Sequence, residues 1–298
     1  MNIFIQVVFP VLLVFIAGFI LQKWKQLDIK SLSTVGLYIM TPALVFKSFY
    51  TAELNMQYLK MVGFALLLLV AIIFVNKIYA KMRGYSQSIE SGLILSTAFM
   101  NSGNYGAPII LFAYGEKGFE YAVSFMVLQA IIMNFFGVYY AARGQAGVQL
   151  AVRSVLKMPP TYAVLTALVM NVFDIKMPEN IFSSIDLVAK ATIPTVMLIL
   201  GMQLANIAVR NFQWGKIMYG TMMRLLISPI IAFLITLVLP MEPLLQKVLI
   251  VLSATPSAAT TTMYAVQFDA EPEMVSSITF INTLISVVTI TTLLVLLA

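Results

Sequence analysis

The sequence has no cysteine and no histidine among its 298 residues. Without cysteine the chain forms no disulfide and carries no thiol nucleophile. Without histidine it lacks the commonest metal ligand and the side chain that most often moves protons near neutral pH. No paired aspartates replace them, so we expect neither an enzyme, nor a metal site, nor an organic cofactor.

Charged residues are also scarce. They make up 10% of the chain, whereas hydrophobic residues make up 61%. Soluble domains carry roughly 25% charged residues, so this chain cannot cover a surface that faces water. The formal net charge of +6 does not indicate nucleic-acid binding, because Lys and Arg of a membrane protein concentrate in its cytoplasmic loops. The composition predicts an all-α, multi-pass integral membrane protein whose surroundings are the lipid bilayer.

A transmembrane helix needs about 20 apolar residues to cross the hydrocarbon core. The hydrophobic pattern predicts ten spans, at 2–21, 32–49, 58–75, 88–114, 119–141, 158–173, 185–207, 217–239, 247–268 and 274–297. The first stretch lacks a basic leader and a small-residue cleavage site, so we expect it to be retained as a span.

Lys and Arg are unequally divided between the loops on the two sides. Eleven of them lie in one set of loops, at 22–31, 76–87, 142–157, 208–216 and 269–273. Only two lie in the other set, at 50–57, 115–118, 174–184 and 240–246. The positive-inside rule places the first set in the cytoplasm, so both termini face outward. The two halves, 1–145 and 146–298, then hold five spans each in opposite orientations, which predicts an inverted repeat.

Residue spacing gives weak support to this repeat. Pro42 and Pro194 are 152 positions apart, Pro108 and Pro256 are 148 apart, and Asn134 and Asn282 are also 148 apart. Each pair falls in corresponding predicted spans: the second, the fourth and the fifth of its half. We therefore expect Pro108 and Pro256 to mark equivalent places.

The fourth span is interrupted by the polar stretch NSGNYGAP at 101–108. Gly103 and Gly106 permit unusual backbone angles, and Pro108 removes one hydrogen-bond donor. The ninth span has a second interruption, SATPSAATTT at 253–262, with Pro256 and many hydroxyl groups. A kinked helix explains either stretch alone. Two breaks at matching places in inverted halves instead indicate a transporter binding site near the middle of the membrane.

Half-helices that begin at such breaks present free N–H groups, and these favour an anion. The predicted helix-break residues are Gly103, Gly106, Pro108 and Pro256. The candidate substrate-binding residues are Asn101, Ser102, Asn104, Tyr105, Pro108, Thr255, Pro256, Ser257 and Arg224. Asn104 has two open roles, as a ligand contact or as a cap for freed backbone groups.

Lys247 sits at the edge of the ninth span, and four basic side chains fall inside the predicted spans: Lys47, Lys60, Lys190 and Arg224. We expect the three lysines to reach toward the outer interface along their apolar stems. Arg224 lies deeper, where it either snorkels or pairs with an anionic substrate. No carboxylate is predicted near the middle of the membrane, which argues against a simple cation exchanger. Asn134, Asn282 and Gln129 are candidates either for sodium coordination or for interhelical hydrogen bonds.

The sequence resembles the auxin efflux carrier family, whose bacterial members are usually described as malate or malonate permeases and whose plant relatives export auxin. The motif N-x-G-x-x-G-x-P at Asn101, Gly103, Gly106 and Pro108 is very close to the family's fourth-span signature. The stretches MYAVQFDAEPEMVSS and FINTLISVVTITTL and the segments around Pro42 and Pro194 are also similar. Asn104 departs from the pattern, because the family more often has an apolar residue there.

The resemblance implies the fold of the crossed-helix antiporters and bile-acid symporters, with ten helices in two inverted repeats. Spans 1, 2, 6 and 7 would form a scaffold, often dimeric, and spans 3–5 and 8–10 an elevator-type transport domain. Spans 4 and 9 would cross at their breaks, with the substrate carboxylate beside the crossing. A location in the cell membrane, the inner or plasma membrane of a bacterium, follows from the same likeness.

Three functions remain open at this point. The favoured one is secondary transport of a small organic anion, coupled to sodium or protons or to neither. The alternatives are a sodium or proton antiporter, and a membrane ligand sensor that uses the same cavity.

Overall fold

The computed structural model describes residues 3–52, 55–142, 147–206 and 213–298. Within these ranges the chain is helical, and its one β-type pairing is an isolated antiparallel bridge between Met100 and Ser257. The loop residues Arg143 and Arg210, which contribute to the predicted orientation, lie outside the described residues.

Twelve helices cover the described ranges. The first six are α1 (Phe4–Lys25), α2 (Ile29–Tyr50), α3 (Met56–Arg83), α4 (Gln87–Ala98), α5 (Ser102–Ala141) and α6 (Gly147–Leu156). The last six are α7 (Pro159–Val172), α8 (Glu179–Ala205), α9 (Trp214–Val238), α10 (Pro243–Ser253), α11 (Ala259–Gln267) and α12 (Pro272–Leu297). Proline stands in the first turn of several of them, where its missing N–H costs no intrahelical bond.

Seven of these helices are long and apolar enough to cross a membrane, or eight if α6 and α7 form one bent span. The number is lower than the ten predicted spans for three reasons. The predicted sixth span is α7, which at 14 residues is too short to count by itself. The predicted fourth and ninth spans are each divided into two shorter helices. The predicted fourth and fifth spans also run together in α5, where the backbone leaves the helical region at Gly115 (φ 68°, ψ −165°). Glycine tolerates this conformation, and it divides α5 into arms at 102–114 and 116–141.

Two other boundaries differ from the prediction. Helix α3 continues to Arg83 instead of ending at 75, so Asn76 is a helical residue with no exposed surface. The segment 147–156, predicted as part of a loop, is helix α6. Its hydrophobic residues are too few, and too often separated by polar ones, to form a span. The hydropathy pattern therefore did not predict a helix there.

The helices fall into two groups by their contacts. Helices α1, α2, α7 and α8 pack on one another, and helices α3, α4 and α9–α12 pack on one another, with α5 touching both groups. The α1–α8 contact is very close, because a Cβ atom on Gly18 would clash with the carbonyl of Leu198 and one on Gly201 with that of Phe15. Small residues permit this approach between membrane helices.

Candidate functional site

The two predicted helix breaks meet inside the second group of helices. Helix α4 ends at Ala98 before α5 begins, and α10 ends at Ser253 before α11 begins. The Asn101 N–H donates to the Pro256 carbonyl at 2.8 Å, and the Ala258 N–H donates to the Phe99 carbonyl at 3.0 Å. Each break thus supplies backbone partners to the other, which satisfies groups that could not remain unpaired in a membrane interior.

These two hydrogen bonds are related by one spacing. Phe99 and Pro256 are 157 positions apart, and so are Asn101 and Ala258. Pro108 and Pro256, 148 positions apart, do not occupy equivalent places. Pro108 lies within helix α5, in the first turn of its regular α-helical part, whereas Pro256 lies in the extended segment between α10 and α11. The expectation that these two prolines correspond was wrong, because proline is tolerated both in a first helical turn and in an extended break.

Arg224 is the one charged side chain of the described residues that is buried, with 0% of its surface exposed. Its Nε donates to the Thr255 carbonyl at 2.9 Å, its Nη1 to the Thr97 carbonyl at 2.7 Å, and its Nη2 to the Ser253 carbonyl. All three carbonyls stand at the carboxyl ends of α4 and α10, where helices leave carbonyls unpaired and carry negative dipole ends. The snorkelling interpretation of Arg224 was therefore wrong: the guanidinium joins the two broken helices.

Side chains complete the second break. The Ser257 hydroxyl donates to the Ser96 carbonyl and accepts a bond from the Asn282 amide nitrogen at 2.8 Å. Ser228 donates to the Ser253 carbonyl at 2.9 Å, and Thr255 donates to the Leu252 carbonyl at 2.7 Å. One polar atom is left over: the Asn282 carboxamide oxygen is buried and has no partner in the described structure.

The first break is built from a short π-helical turn, Ser102–Gly106. Its Tyr105 is buried, accepts a hydrogen bond from Ser286 at 2.9 Å, and packs its ring against Phe15 of α1 at a centroid distance of 5.5 Å. Gly106 is required by packing, since a Cβ atom there would lie 2.5 Å from the Leu252 side chain. Gly103 and Asn104 are only half-buried.

The asparagines at 134 and 282 have different surroundings. Asn134 on α5 accepts a hydrogen bond from Tyr264 of α11 at 2.7 Å and donates to the Ala130 carbonyl of its own helix. Asn134 therefore links two helices. The place where the two breaks meet, 99–101 against 256–258, is called the crossing below, and Asn282 bonds to the crossing through Ser257. Gln129 is buried on α5, one turn before Asn134.

A chain of contacts that the sequence did not reveal leads away from the crossing. Asn76 of α3 donates to the Thr97 hydroxyl at 2.8 Å and accepts from the Tyr219 hydroxyl at 3.3 Å. The Tyr219 ring stacks on Tyr79 at 3.6 Å between centroids. A buried Asn at helical spacing within an apolar segment could have signalled this, but Asn76 falls just past the predicted end of the third span.

The lysines inside spans also differ from expectation. Lys47 of α2 and Lys190 of α8 both form ion pairs with Asp186, at 2.5 and 2.6 Å. Lys60 donates to the Pro240 carbonyl at 2.7 Å. Two of the three lysines thus share one carboxylate, a partner that the sequence did not reveal. The described residues contain no group of three or more His, Cys, Asp or Glu that could hold a metal ion.

The loop before α10 carries a further ionic contact. Glu242 accepts hydrogen bonds from Lys117 and from Tyr121, each at 2.8 Å. The Lys117 ammonium, and after it the Tyr121 hydroxyl, hold the pKa of the Glu242 carboxyl below its usual value. In the loop before α2, the Ser31 hydroxyl lowers the pKa of Asp28, which caps α2.

Comparison with known proteins identifies the family. A family model described as membrane transport protein matches residues 3–150 and 145–294. This chain belongs to the membrane transport protein family, also known as the auxin efflux carrier family. It is similar to an uncharacterized transporter of Methanothermobacter thermautotrophicus, with 27% identity covering 96% of this chain and 95% of that one. It is likewise similar to an uncharacterized transporter of Methanocaldococcus jannaschii, with 24% identity covering 96% of each chain.

Family membership and the apolar helices together make this chain a multi-pass membrane transport protein. Its relatives are named as transporters and not as enzymes. Of the predicted site residues, the crossing brings together Asn101, Thr255, Pro256, Ser257, Arg224 and Asn282. Tyr105 contacts α12 and α1, and Asn134 is bonded to α11 instead.

Proposed function

We propose that this chain is a secondary transporter that moves a small organic anion with a carboxylate group, of the malate, malonate or auxin-like weak-acid type. One observation carries the proposal: the charge balance at the crossing. Arg224 is buried there against carbonyl groups alone, and no carboxylate is buried among the described residues. Carbonyl dipoles offset only part of this charge, and a buried cation without a carboxylate partner attracts an anion in a low-dielectric interior.

The helix ends add to this balance. Arg224 occupies the carboxyl ends of α4 and α10, which would otherwise repel an anion. The amino ends of α5 and α11 begin beside the same crossing and present the positive ends of their dipoles. Two of the five N–H groups of Arg224 have no hydrogen bond within the described structure. A carboxylate beside the crossing would therefore meet donors from Arg224 or the helix starts.

The proposal includes a ten-span, inverted-repeat architecture. Each broken pair, α4 with the 102–114 arm and α10 with α11, would make one span, and α7 would make one by itself. The 116–141 arm of α5 would make another. The starts of α3 and α9 are 158 positions apart, and that arm and α12 start 156 apart. These spacings agree with the 157 of the reciprocal hydrogen bonds at the crossing, as an inverted repeat requires.

Movement would divide the molecule between its two contact groups. Helices α1, α2, α7 and α8 would form the scaffold and dimerise through outward residues such as Leu13 and Ile20, and the second group would carry the crossing as an elevator-type unit. The boundary at the crossing is apolar, with Phe15 facing Tyr105. Apolar contact at this point suits sliding between two states.

Substrate would approach the first break, where Gly103 and Asn104 are half-buried while the second break is fully enclosed. Asn101, Ser102 and Asn104 offer amide and hydroxyl groups there, and Tyr105 shapes the wall. We expect Thr255, Pro256 and Ser257 to act on substrate through the backbone they hold in place.

The test is uptake by the purified chain in proteoliposomes of the cell-membrane lipid type. Labelled malate, malonate and an aromatic weak acid are supplied with and without sodium or proton gradients. We expect saturable uptake of at least one acid and its loss in Asn101→Ala. Asn180→Ala is the matched control, because Asn180 is exposed at the start of α8 and bonds only locally. The chain would instead be an antiporter if every acid entered no faster than into empty liposomes while a dye that reports a sodium or proton gradient responded.

Sodium coupling has one observation in its favour. The unpartnered Asn282 oxygen is a buried oxygen ligand of the kind that sodium uses, and its side chain is bonded to the crossing through Ser257. We propose sodium as the coupling ion. Asn282→Leu would then abolish sodium dependence of uptake, whereas an unchanged sodium response assigns that oxygen to helix packing.

A further inference from the structure

Helix α6 exposes two side-by-side rows of residues along one face. Val148, Val152 and Leu156, spaced four apart, are 57%, 43% and 58% exposed. Gln149, Arg153 and Lys157 form the neighbouring row, also exposed. Ala151 on the opposite face is fully buried, and the helix packs there on the 133–141 end of α5. One face of α6 thus pairs an apolar strip with a basic strip.

The chain holds α6 at a fixed angle to α7. Helix α7 follows after a bend of 56°. Pro159 and Pro160 begin α7 and force the preceding Met158 into an extended conformation. The Thr161 hydroxyl then donates to the Val155 carbonyl at 3.4 Å, and the Tyr162 hydroxyl donates to the Leu156 carbonyl at 2.6 Å. Side chains of α7 therefore cap the end of α6, so the bend is a built feature.

The two basic residues are available for an outside partner. Neither Arg153 nor Lys157 forms an ion pair with any residue that the structure describes. A shallow depression of about 610 Å³ lies along the face and is lined by both of them with Gln149, Val152 and Leu156. By the positive-inside rule this end of α5 lies on the cytoplasmic side, where the leaflet surface carries anionic lipids.

We propose that α6 lies in the plane of the cytoplasmic leaflet and binds an anionic phospholipid. Val148, Val152 and Leu156 enter the acyl boundary, and Arg153 and Lys157 hold the headgroup phosphate. This pairing of an apolar strip with cations is how in-plane amphipathic helices bind membranes. Because α6 packs on the end of α5 and connects to α7, lipid binding there also fixes the junction between the two halves of the chain.

Depth is measured with spin labels, which the absence of native cysteine makes straightforward. Val152→Cys and Gln149→Cys are labelled in liposomes that contain phosphatidylglycerol, and collisions with oxygen and with a nickel chelate are compared. We expect the label at 152 to favour oxygen and the label at 149 to favour nickel. A nickel-accessible label at 152 places α6 in water, and shielding from both reagents places it against protein or a second copy. Either result overturns the proposal.

Headgroup recognition is measured on the full chain in detergent by native mass spectrometry. Phosphatidylglycerol, phosphatidylcholine and inorganic phosphate are titrated separately. Arg153→Gln with Lys157→Gln should weaken phosphatidylglycerol binding by about tenfold or more, since each basic residue near an anionic surface contributes roughly fivefold. The control pair, Lys30→Gln with Lys81→Gln, removes two exposed charges from the same side and should leave the affinity unchanged. Equal losses in both pairs, or competition by free phosphate, would refute a lipid site on α6.

Discussion

The two helix breaks at the crossing each separate two helices, but they differ in glycine content and in burial. The first contains Gly103 and Gly106, and part of it is only half-buried. The second, at 254–258, contains no glycine, and all five of its residues are buried. A glycine-rich break can change its backbone at low cost, whereas a buried break is held in one conformation.

Different groups stabilise the two breaks. At the second break Arg224 donates hydrogen bonds to the Thr255 and Ser253 carbonyls, and Ser228 also donates to the Ser253 carbonyl. At the first break Arg224 donates only to the Thr97 carbonyl, and Asn76 donates to the Thr97 hydroxyl. This difference supports the proposal that the second break is a fixed platform and that substrate meets the first break. Substitutions at the second break should therefore change stability, and those at the first should change transport.

Arg224→Met should have the largest effect. Methionine fills much of the side-chain volume but removes the Arg224 donors from the Thr97 and Thr255 carbonyls and leaves the Ser253 carbonyl with Ser228 alone. Loss of these buried hydrogen bonds costs about 3 kcal/mol or more. Thermal unfolding in detergent should show a strongly lowered midpoint, or no folded protein. Arg224→Lys should be intermediate, because a single ammonium group replaces a fork that reaches both helices. Arg83→Met, exposed at the end of α3, is the control. A normal melting temperature for Arg224→Met would mean that the guanidinium does not join the breaks.

Gly106→Ala tests whether the first break is seated on the second. Its Cβ atom would lie 2.5 Å from Leu252 and 3.1 Å from the Thr255 methyl group, and such overpacking typically costs about 1–3 kcal/mol. Gly63→Ala is the matched control, since its Cβ atom would meet only the Leu239 side chain at 3.6 Å in the middle of a helix. There alanine should stabilise slightly, by about 0.5–1 kcal/mol. Equal melting temperatures for the two variants would contradict the close contact between the breaks.

Several parts of this arrangement could be predicted from sequence because they are local. Glycine, proline and hydroxyl residues interrupt two apolar segments, so both breaks were visible, and Arg224 stood out as a cation within a span. The partners of Arg224 were not visible, because Thr97 lies 127 positions away and offers only a backbone carbonyl. Any residue type supplies such an acceptor, so no pattern of side chains marks it.

Other differences have equally physical origins. The proline spacing misled because Pro108 serves the first turn of a regular helix while Pro256 serves an extended break. Helix α6 was not predicted because it has only ten residues, and its polar row lowers the average hydropathy to that of a loop. Asn76 was assigned to a loop although α3 continues past it, since helices can extend beyond the hydrocarbon core.

Ser257→Ala and Asn104→Ala should separate stability from transport. The Ser257 hydroxyl is buried and serves both Ser96 and Asn282, so its loss should destabilise the chain by about 1–2 kcal/mol. Asn104 is half-buried in the first break, and its loss should leave stability within about 0.5 kcal/mol while it lowers the rate of uptake. Melting curves and proteoliposome uptake are measured on both. The reverse result, a transport defect confined to Ser257→Ala, would exchange the roles assigned to the breaks.

The smallest effect should come from Glu242, which precedes α10 and so holds the start of the helix that leads into the second break. Lys117 lowers its pKa, so the ionised form is favoured in the folded state. The resulting stability is present at pH values above the ordinary glutamate pKa and disappears as the pH falls through the lowered folded value. The side chain is 31% exposed, and partly exposed ion pairs contribute less than about 1 kcal/mol. The midpoint of thermal unfolding should therefore fall slightly more for the native chain than for Glu242→Gln between pH 6 and an acidic pH of about 3, well below the ordinary glutamate value. Equal changes of the unfolding midpoint with pH in the two proteins would show that the contact of Glu242 with Lys117 does not stabilise α10. The second break would then be held in place by Arg224 and its neighbours alone.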